Sequence, residues 1–211
     1  PCAGEPAADY GAAGPGLIQA YLGSVGRFPK LTAGAYNLWY LITLGDGGHD
    51  VGQGVGSLSY RLIGFLLVGT VALLVGVVLL RRADSLTRAG AAAVLALAFF
   101  ALPTQIHERY LFFPLAFLAL RIPGDQRMVV PFVLLAFSAT LNIFGDLNGF
   151  IPFLAPLIAD SVLPYVLAVL NLAVLAWLVV QLTRVLGKEP GALDRAPHRP
   201  DANAPGAQAP G

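Results

Sequence analysis

The stretch AGAAAVLALAFFALPTQIHERYLFFPLAFLAL, from Ala89 to Leu120, decides how this chain folds. Its two ends, Ala89–Leu102 and Leu111–Leu120, are strongly apolar and typical of membrane-embedded segments. Between them stands the charged tetrad His107-Glu108-Arg109-Tyr110. Ionisable side chains at membrane depth are costly, so they usually face a bundle interior or a wet cavity and often mark a functional site. The tetrad is therefore the first candidate site of the chain.

The composition of the whole chain is that of an integral membrane protein. Its 211 residues are 56% hydrophobic and 12% charged, with a mean hydropathy of +0.71, whereas a soluble domain is about 25% charged. A net charge of +1 gives no electrostatic case for nucleic-acid binding. The single cysteine, Cys2, excludes an intramolecular disulfide and a cysteine-rich metal site. Because the chain begins at Pro1 and shows no signal peptide, we expect a fragment of a longer protein.

The apolar runs predict an all-α fold, a polytopic transmembrane bundle of about five spanning helices. A span needs about 20 residues, so Leu111–Leu120 crosses only if its helix begins inside or just before the tetrad. A short amphipathic helix at Leu17–Phe28 is expected to lie on the membrane surface. The candidate spans are Leu62–Leu80, Ala89–Ile106, Leu111–Leu120, Met128–Gly145 and Val162–Leu186.

The remaining sequence divides around this bundle, which occupies residues 61–186. Residues 1–60 are expected to be an extracytoplasmic segment with interfacial helices, in which Tyr36 and Trp39 suit the headgroup level and Gly45–Ser59 forms a flexible glycine-rich loop. Residues 187–211 are rich in proline, alanine and glycine and should be a disordered cytoplasmic tail.

Arginine and lysine positions predict the orientation and the depth of the tetrad. If Arg81 and Arg82 are cytoplasmic, alternating spans place Arg121, Arg127 and the C-terminal cations on the same side, and the tetrad falls outside. Leu111–Leu120 rises about 15 Å as a helix, about half of the 30 Å hydrocarbon core. We therefore expect the tetrad to lie below the outer surface, beside a cavity open to that side.

The chemistry of the tetrad has two interpretations. Arg109 offers a planar, permanently charged fork for phosphate or carboxylate, His107 can add a hydrogen bond or a charge, and Glu108 can orient Arg109. All three can face one ligand only if the backbone turns there. The alternative is an internal ion pair, such as Glu108 with Arg109, that holds two helices together. Tyr110 is interpreted as an interfacial anchor.

Three segments resemble motifs of bacterial GT-C-type membrane glycosyltransferases, polytopic enzymes that take a sugar from a polyprenyl-phosphate carrier. LPTQIHERYLFFPLAFLAL, from Leu102 to Leu120, is similar to their late motif, and FPKLTAGAYNLWYLI, from Phe28 to Ile42, is similar to an upstream segment. VGSLSYR, from Val55 to Arg61, fits the entry to the next helix. The resemblance runs over roughly residues 21–120 and corresponds to the C-terminal third to half of the family pattern.

The resemblance implies a function and a location. His107 and Arg109 would lie near the phosphate of a polyprenyl-phosphate-linked sugar donor, and Glu108 would organise them. The family's catalytic base lies in a first extracytoplasmic loop that has no counterpart here, so the catalytic residue is unknown. The chain would be a multi-pass protein of the bacterial plasma membrane with a cytoplasmic C-terminus. The alternative is a non-catalytic polytopic membrane protein, such as half of a transporter or an assembly subunit.

The glycine-rich loop carries the candidate metal ligands Asp46, His49 and Asp50. Two carboxylates and an imidazole are acceptable ligands for a divalent cation, and the family resemblance is compatible with one. The spacing matches no defined motif, so a solvated loop is the favoured interpretation and no cofactor is assigned.

Four further polar residues lie in or beside the later apolar runs. Asn142 and Asn171 are predicted to form interhelical hydrogen bonds. Asp146 and Asp160 flank an outer loop, where solvation is the expected role and pairing with Arg109 is the alternative.

Overall fold

The computed structural model describes residues 29–45 and 48–187, which are mostly helical. The surface helix predicted at Leu17–Phe28 and the tail after residue 187 lie outside the described residues. The α-helices are α1 (Leu38–Ile42), α2 (Tyr60–Arg81), α3 (Ser85–Ala101), α4 (Phe112–Arg121), α5 (Val129–Asp146) and α6 (Leu163–Thr183).

Within the described residues, three helical segments are long and apolar enough to cross a membrane. They are α2, the segment Gln126–Asp146 that contains α5, and α6. Helices α3 and α4 have 17 and 10 residues. The prediction of about five spans is therefore confirmed for three helices only.

Helix α3 ends earlier than predicted, at Ala101 rather than at Ile106. Pro103 has no N–H to donate to the carbonyl of Phe99, so the helical hydrogen-bond ladder cannot continue through it. Side chains fix two of the helix starts. Ser59 Oγ accepts a hydrogen bond from Leu62 N at 3.3 Å, and Asp84 Oδ1 accepts one from Thr87 N at 3.0 Å, which satisfies N–H groups that have no helical partner.

Helix α3 is the central helix of the bundle, and α2 lies at its outside. Small buried residues of α3, such as Ala91 and Ala98, allow close approach of the neighbouring helices. The guanidinium of Arg121, at the end of α4, lies directly over Gly90. By contrast, only 17% of the most apolar stretch of α2 is buried inside the protein. Leu73 and Leu80 are among its exposed apolar side chains, as expected for a lipid-facing helix.

The bundle has two chemically different ends. Contact of Arg121 with Gly90 places the end of α4 beside the start of α3, and contact of Gly64 with Pro103 places the start of α2 beside the end of α3. The first of these ends, here called the arginine-rich end, carries the cations that the sequence predicted to lie on one side: Arg81, Arg82, Arg88, Arg121, Arg127 and Arg184. The other end, here called the tetrad end, carries His107-Glu108-Arg109-Tyr110.

Short strands close the tetrad end. Strand β1 (Thr32–Ala33) pairs in parallel with β4 (Ile106–His107), with Ala33 opposite His107. Strands β2 (Gln53–Val55) and β3 (Leu58–Ser59) form an antiparallel hairpin. The glycine-rich stretch therefore contains a hairpin rather than being a flexible loop throughout, and the fold of the described residues is not purely helical.

The segment 29–45 packs against the tetrad end of the bundle. Tyr36 and Trp39 are buried at 4% and 1% exposure. The indole N–H of Trp39 donates to the carbonyl of Leu102 at 2.7 Å. The two aromatic rings expected at the headgroup level are thus enclosed by protein.

Candidate functional site

The backbone of the tetrad turns, as a shared site requires. His107 belongs to strand β4, Glu108–Leu111 form a 3₁₀ turn, and α4 starts at Phe112. His107 has extended backbone, with φ −92° and ψ 154°. The side chains of His107, Glu108 and Arg109 are therefore not spaced at the 100° steps of an α-helix.

Glu108 lies between its two charged neighbours. Its Oε2 is 3.8 Å from His107 Nδ1, and its Oε1 is 4.0 Å from Arg109 Nη1. The Glu108 side chain is 12% exposed, whereas that of Arg109 is 61% exposed. The predicted pairing of Glu108 with Arg109 is present, but an exposed pair at this distance contributes little to stability. Arg109 therefore has a weak ion-pair partner in Glu108, and most of its side chain is open to a ligand.

Tyr110 connects Arg109 to an apolar groove. The Arg109 guanidinium lies 5.7 Å from the Tyr110 ring centroid, a cation–π contact. The Tyr110 ring stacks on Phe113 at 6.0 Å and meets Phe99 edge-on at 5.8 Å. Both phenylalanines line a groove of about 490 Å³ between α2, α3 and α4. The groove is here called the tetrad groove. Tyr110, predicted as an interfacial anchor, thus packs between Arg109 and the two phenylalanines that line this groove.

A second carboxylate approaches the tetrad at Gly34. This glycine has φ +81°, a conformation that favours residues without Cβ. A Cβ placed there would collide with Asp146 Oδ1 and lie 3.4 Å from Glu108 Oε2. Glu108 and Asp146 therefore both approach the space beside Gly34 that a side chain would otherwise fill. Asp146 is exposed and forms no ion pair with Arg109 within the described residues.

A cavity of about 190 Å³ opens beside Asp146, and tyrosines line part of it. The Tyr36 hydroxyl lies against Gly145, and its ring meets Tyr40 edge-on at 5.1 Å. Burial, with the nearby Tyr40 and Asp146, raises the pKa of Tyr36. This phenol therefore stays neutral at ordinary pH. Asp160 is exposed, in agreement with the predicted loop solvation.

Asp50 is a buried anion whose carboxylate has partners in two other segments of the chain. It accepts hydrogen bonds from Arg61 Nε at 2.7 Å and Arg61 Nη2 at 3.0 Å, and from Thr104 Oγ1 at 3.2 Å. The side-chain amide of Gln105 also donates to it. Burial raises the pKa of Asp50, but the hydrogen bonds and charge of these partners outweigh it, so the net pKa lies below the usual range. The prediction of a solvated loop was wrong for Asp50, whose exposure is 0%.

Gln105 links this buried anion to the tetrad. Its φ is +64°, an uncommon value for a residue with a side chain. Its backbone N–H donates to the carbonyls of Lys30 at 3.2 Å and Leu31 at 3.3 Å. Ile106 and His107 follow directly in strand β4, so the Asp50 contacts fix the backbone that presents the tetrad. Sequence spacing gave no signal for this arrangement.

The asparagines hold the segment 34–37 rather than joining helices to one another. Asn142 Oδ1 accepts from Tyr36 N at 3.2 Å, its Nδ2 donates to Gly34 O at 2.6 Å, and Asn171 Nδ2 donates to Tyr36 O at 3.0 Å. Asn37 caps α1 by accepting from Trp39 N at 3.1 Å. The prediction of interhelical bonds for Asn142 and Asn171 is corrected accordingly: both bond to loop backbone.

The alternative of a divalent-metal site at Asp46, His49 and Asp50 has no support in the described part of the chain. No group of three histidine, cysteine or acidic side chains there could hold a metal ion. Asp46 lies outside the described residues, and the Asp50 carboxylate is occupied by its hydrogen-bond donors. At the tetrad end, the exposed guanidinium of Arg109 is a group that can bind an anion such as a phosphate or a carboxylate.

No protein family, characterised protein or solved structure matches this chain. A function can therefore be argued only from the site itself and from the sequence resemblance.

Proposed function

We propose that this chain is the C-terminal membrane region of a glycosyltransferase that takes a sugar from a polyprenyl-phosphate carrier at the outer face of a bacterial plasma membrane. The observation that carries the proposal is the exposed Arg109 guanidinium in contact with Tyr110, whose ring packs on two phenylalanines that line the tetrad groove. A lipid-linked phosphate has one anionic and one apolar part, and both find a complementary surface here.

The head of such a ligand meets Arg109. A guanidinium binds phosphate oxygens with two parallel N–H donors, and it keeps its charge at any physiological pH. The carboxylate of Glu108, whose side chain is only 12% exposed, lies 4.0 Å from the guanidinium of Arg109. His107 stands on the other side of Glu108 and offers a further hydrogen bond or, when protonated, a second positive charge.

The tail of the ligand meets the tetrad groove. Small residues of α2 and α3, including Ala72 and Ala96, form its floor, and Phe99 and Phe113 stand at its tetrad end. Its surface is almost entirely apolar, as an isoprenoid chain requires. Because Tyr110 contacts both Arg109 and these phenylalanines, the phosphate and the first isoprene units can be held at once.

The proposed residues bind and orient the donor; the group that activates the acceptor is not assigned. Arg109 stabilises the phosphate that leaves the sugar, because negative charge on its oxygens grows during transfer. The arginine-rich end then faces the cytoplasm.

The test is sugar transfer by the full-length protein reconstituted in vesicles with a polyprenyl-phosphate-linked sugar. Arg109→Ala is expected to abolish transfer with little loss of folded protein. Arg88→Ala, which removes an exposed arginine from the opposite end, serves as the matched control and should retain activity. Wild-type transfer by folded Arg109→Ala protein would overturn the assignment.

A further inference from the structure

A second apolar groove lies between α5 and α6, at the opposite end of the bundle from the tetrad. It is a cavity of about 600 Å³ and shares no lining residue with the tetrad groove. Val130 and Leu134 line it from α5, and Ala173 and Trp177 line it from α6. This surface, here called the α5–α6 groove, has no role in the proposed sugar transfer.

The length of the α5–α6 groove corresponds to one leaflet. Its lining on α6 runs from Leu170 to Gln181, which is about 16 Å at 1.5 Å per residue. Half of the hydrocarbon core is about 15 Å. The groove starts at the arginine-rich end and reaches to about the membrane midplane, as an acyl chain does.

The polar residues that line the α5–α6 groove lie where the groove meets the arginine-rich end. Arg127, just before α5, and Gln181, near the end of α6, are the polar residues of the lining. Arg127 is exposed, and within the described ranges its guanidinium forms no ion pair. The nearby Asp125 pairs instead with Arg121, at 3.7 Å. The Arg127 guanidinium is thus a cation without an ion-pair partner in the described ranges, at one end of the apolar α5–α6 groove.

Arg127 and the α5–α6 groove together are complementary to an anionic phospholipid. Basic pockets between membrane helices bind lipid headgroups, and each arginine near the surface adds about 1 kcal/mol of attraction. Five other arginines, including Arg121 and Arg184, belong to the same end and make its potential positive. A zwitterionic lipid could also place an acyl chain in the α5–α6 groove, but its headgroup would be attracted less strongly by this positive potential.

We propose that the α5–α6 groove binds an acyl chain of an anionic phospholipid from the leaflet at the arginine-rich end. Arg127 binds the lipid phosphate and Gln181 donates a further hydrogen bond to the headgroup. Bound lipid then covers the apolar walls of α5 and α6. This inference is independent of the proposed transferase activity.

The experiment is native mass spectrometry of the full chain released from nanodiscs that contain equal amounts of phosphatidylglycerol and phosphatidylcholine with the same acyl chains. The wild type should retain phosphatidylglycerol preferentially. Arg127→Gln should reduce this preference about fivefold, whereas Arg88→Gln, an exposed arginine of the same end that does not line the groove, should reduce it much less. Ala173→Phe fills the groove and should lower retention of both lipids, with folding checked by thermal unfolding.

Three results would overturn the proposal. They are equal retention of the two lipids by the wild type, equal losses for Arg127→Gln and Arg88→Gln, and a second copy of the chain in the groove without bound lipid. The last is detected by disulfide formation between chains that carry both Cys2→Ser and Ala173→Cys in nanodiscs.

Discussion

Asp50 and Arg61 form a two-point ion pair, with Arg61 Nε 2.7 Å from Oδ2 and Nη2 3.0 Å from Oδ1 of a fully buried carboxylate. The pair ties the β2–β3 hairpin region to the start of α2. Through Gln105, the same carboxylate reaches the strand that presents the tetrad. One buried anion therefore organises the surface on which the proposed function depends.

Asp50→Asn should destabilise the protein by about 2–3 kcal/mol, because it leaves the Arg61 guanidinium without its anion. The loss is smaller than for a fully enclosed pair, since the Arg61 side chain is 23% exposed. Thermal unfolding in detergent measures it. Asp125→Asn, which breaks the exposed pair with Arg121, should cost less than about 1 kcal/mol. Equal effects of the two substitutions would contradict the structural role of Asp50.

The stability contributed by Asp50 should depend on pH in one direction. Its folded-state pKa lies below the usual range, so its contribution is complete above the unfolded-state pKa of about 3.9 and is lost as pH falls through the folded value. Wild-type stability should therefore fall below about pH 4 more steeply than that of Asp50→Asn. Parallel pH profiles of the two proteins would show that the carboxylate is not stabilised by folding.

Gly34→Ala should disrupt the meeting of Glu108 and Asp146. The substitution adds backbone strain at φ +81° and a collision with the Asp146 carboxylate. Gly56→Ala is the matched control, since Gly56 has φ +59° but open space around it. The control should cost about 1 kcal/mol, and Gly34→Ala should cost at least twice that. Equal losses of unfolding free energy would mean that Asp146 does not pack on Gly34.

Asn142→Ala should release the segment 34–36, because it removes one acceptor and one donor for the backbone of Tyr36 and Gly34. Two lost hydrogen bonds predict a cost of about 2–3 kcal/mol. Hydrogen exchange should rise in residues 29–45 while α3 stays protected. Thr140→Ala, which removes an exposed bond within α5, is the control and should leave exchange in this segment unchanged.

The apolar runs predicted helices α2, α5 and α6 well because a span of about 20 residues must satisfy its backbone within itself. That rule applies to one segment at a time. The sequence also predicted that the arginines cluster at one end of the bundle, because they occur in every second connection between the apolar runs.

The contacts at the tetrad end could not be predicted in this way. Asp50 contacts Gln105 and Thr32–Ala33 pair with Ile106–His107 across long stretches of sequence, and periodicity within any one of these segments carries no information about such contacts. The same holds for Asn142, whose partners lie in a loop distant in sequence. The tetrad stands out in the sequence because its charges interrupt an apolar run, whereas Asp50 lies in a glycine-rich stretch, where a solvated carboxylate is the expected interpretation.

The most direct measurement is equilibrium binding of a polyprenyl phosphate and the matching uncharged polyprenol to the reconstituted protein, with wild type and Arg109→Gln compared. The wild type should bind the phosphate at least tenfold more tightly than the alcohol, which is about 1.4 kcal/mol, and Arg109→Gln should remove most of that difference. Equal affinities of the wild type for the two lipids, or an unchanged preference in Arg109→Gln, would contradict recognition of a lipid-linked phosphate by the tetrad.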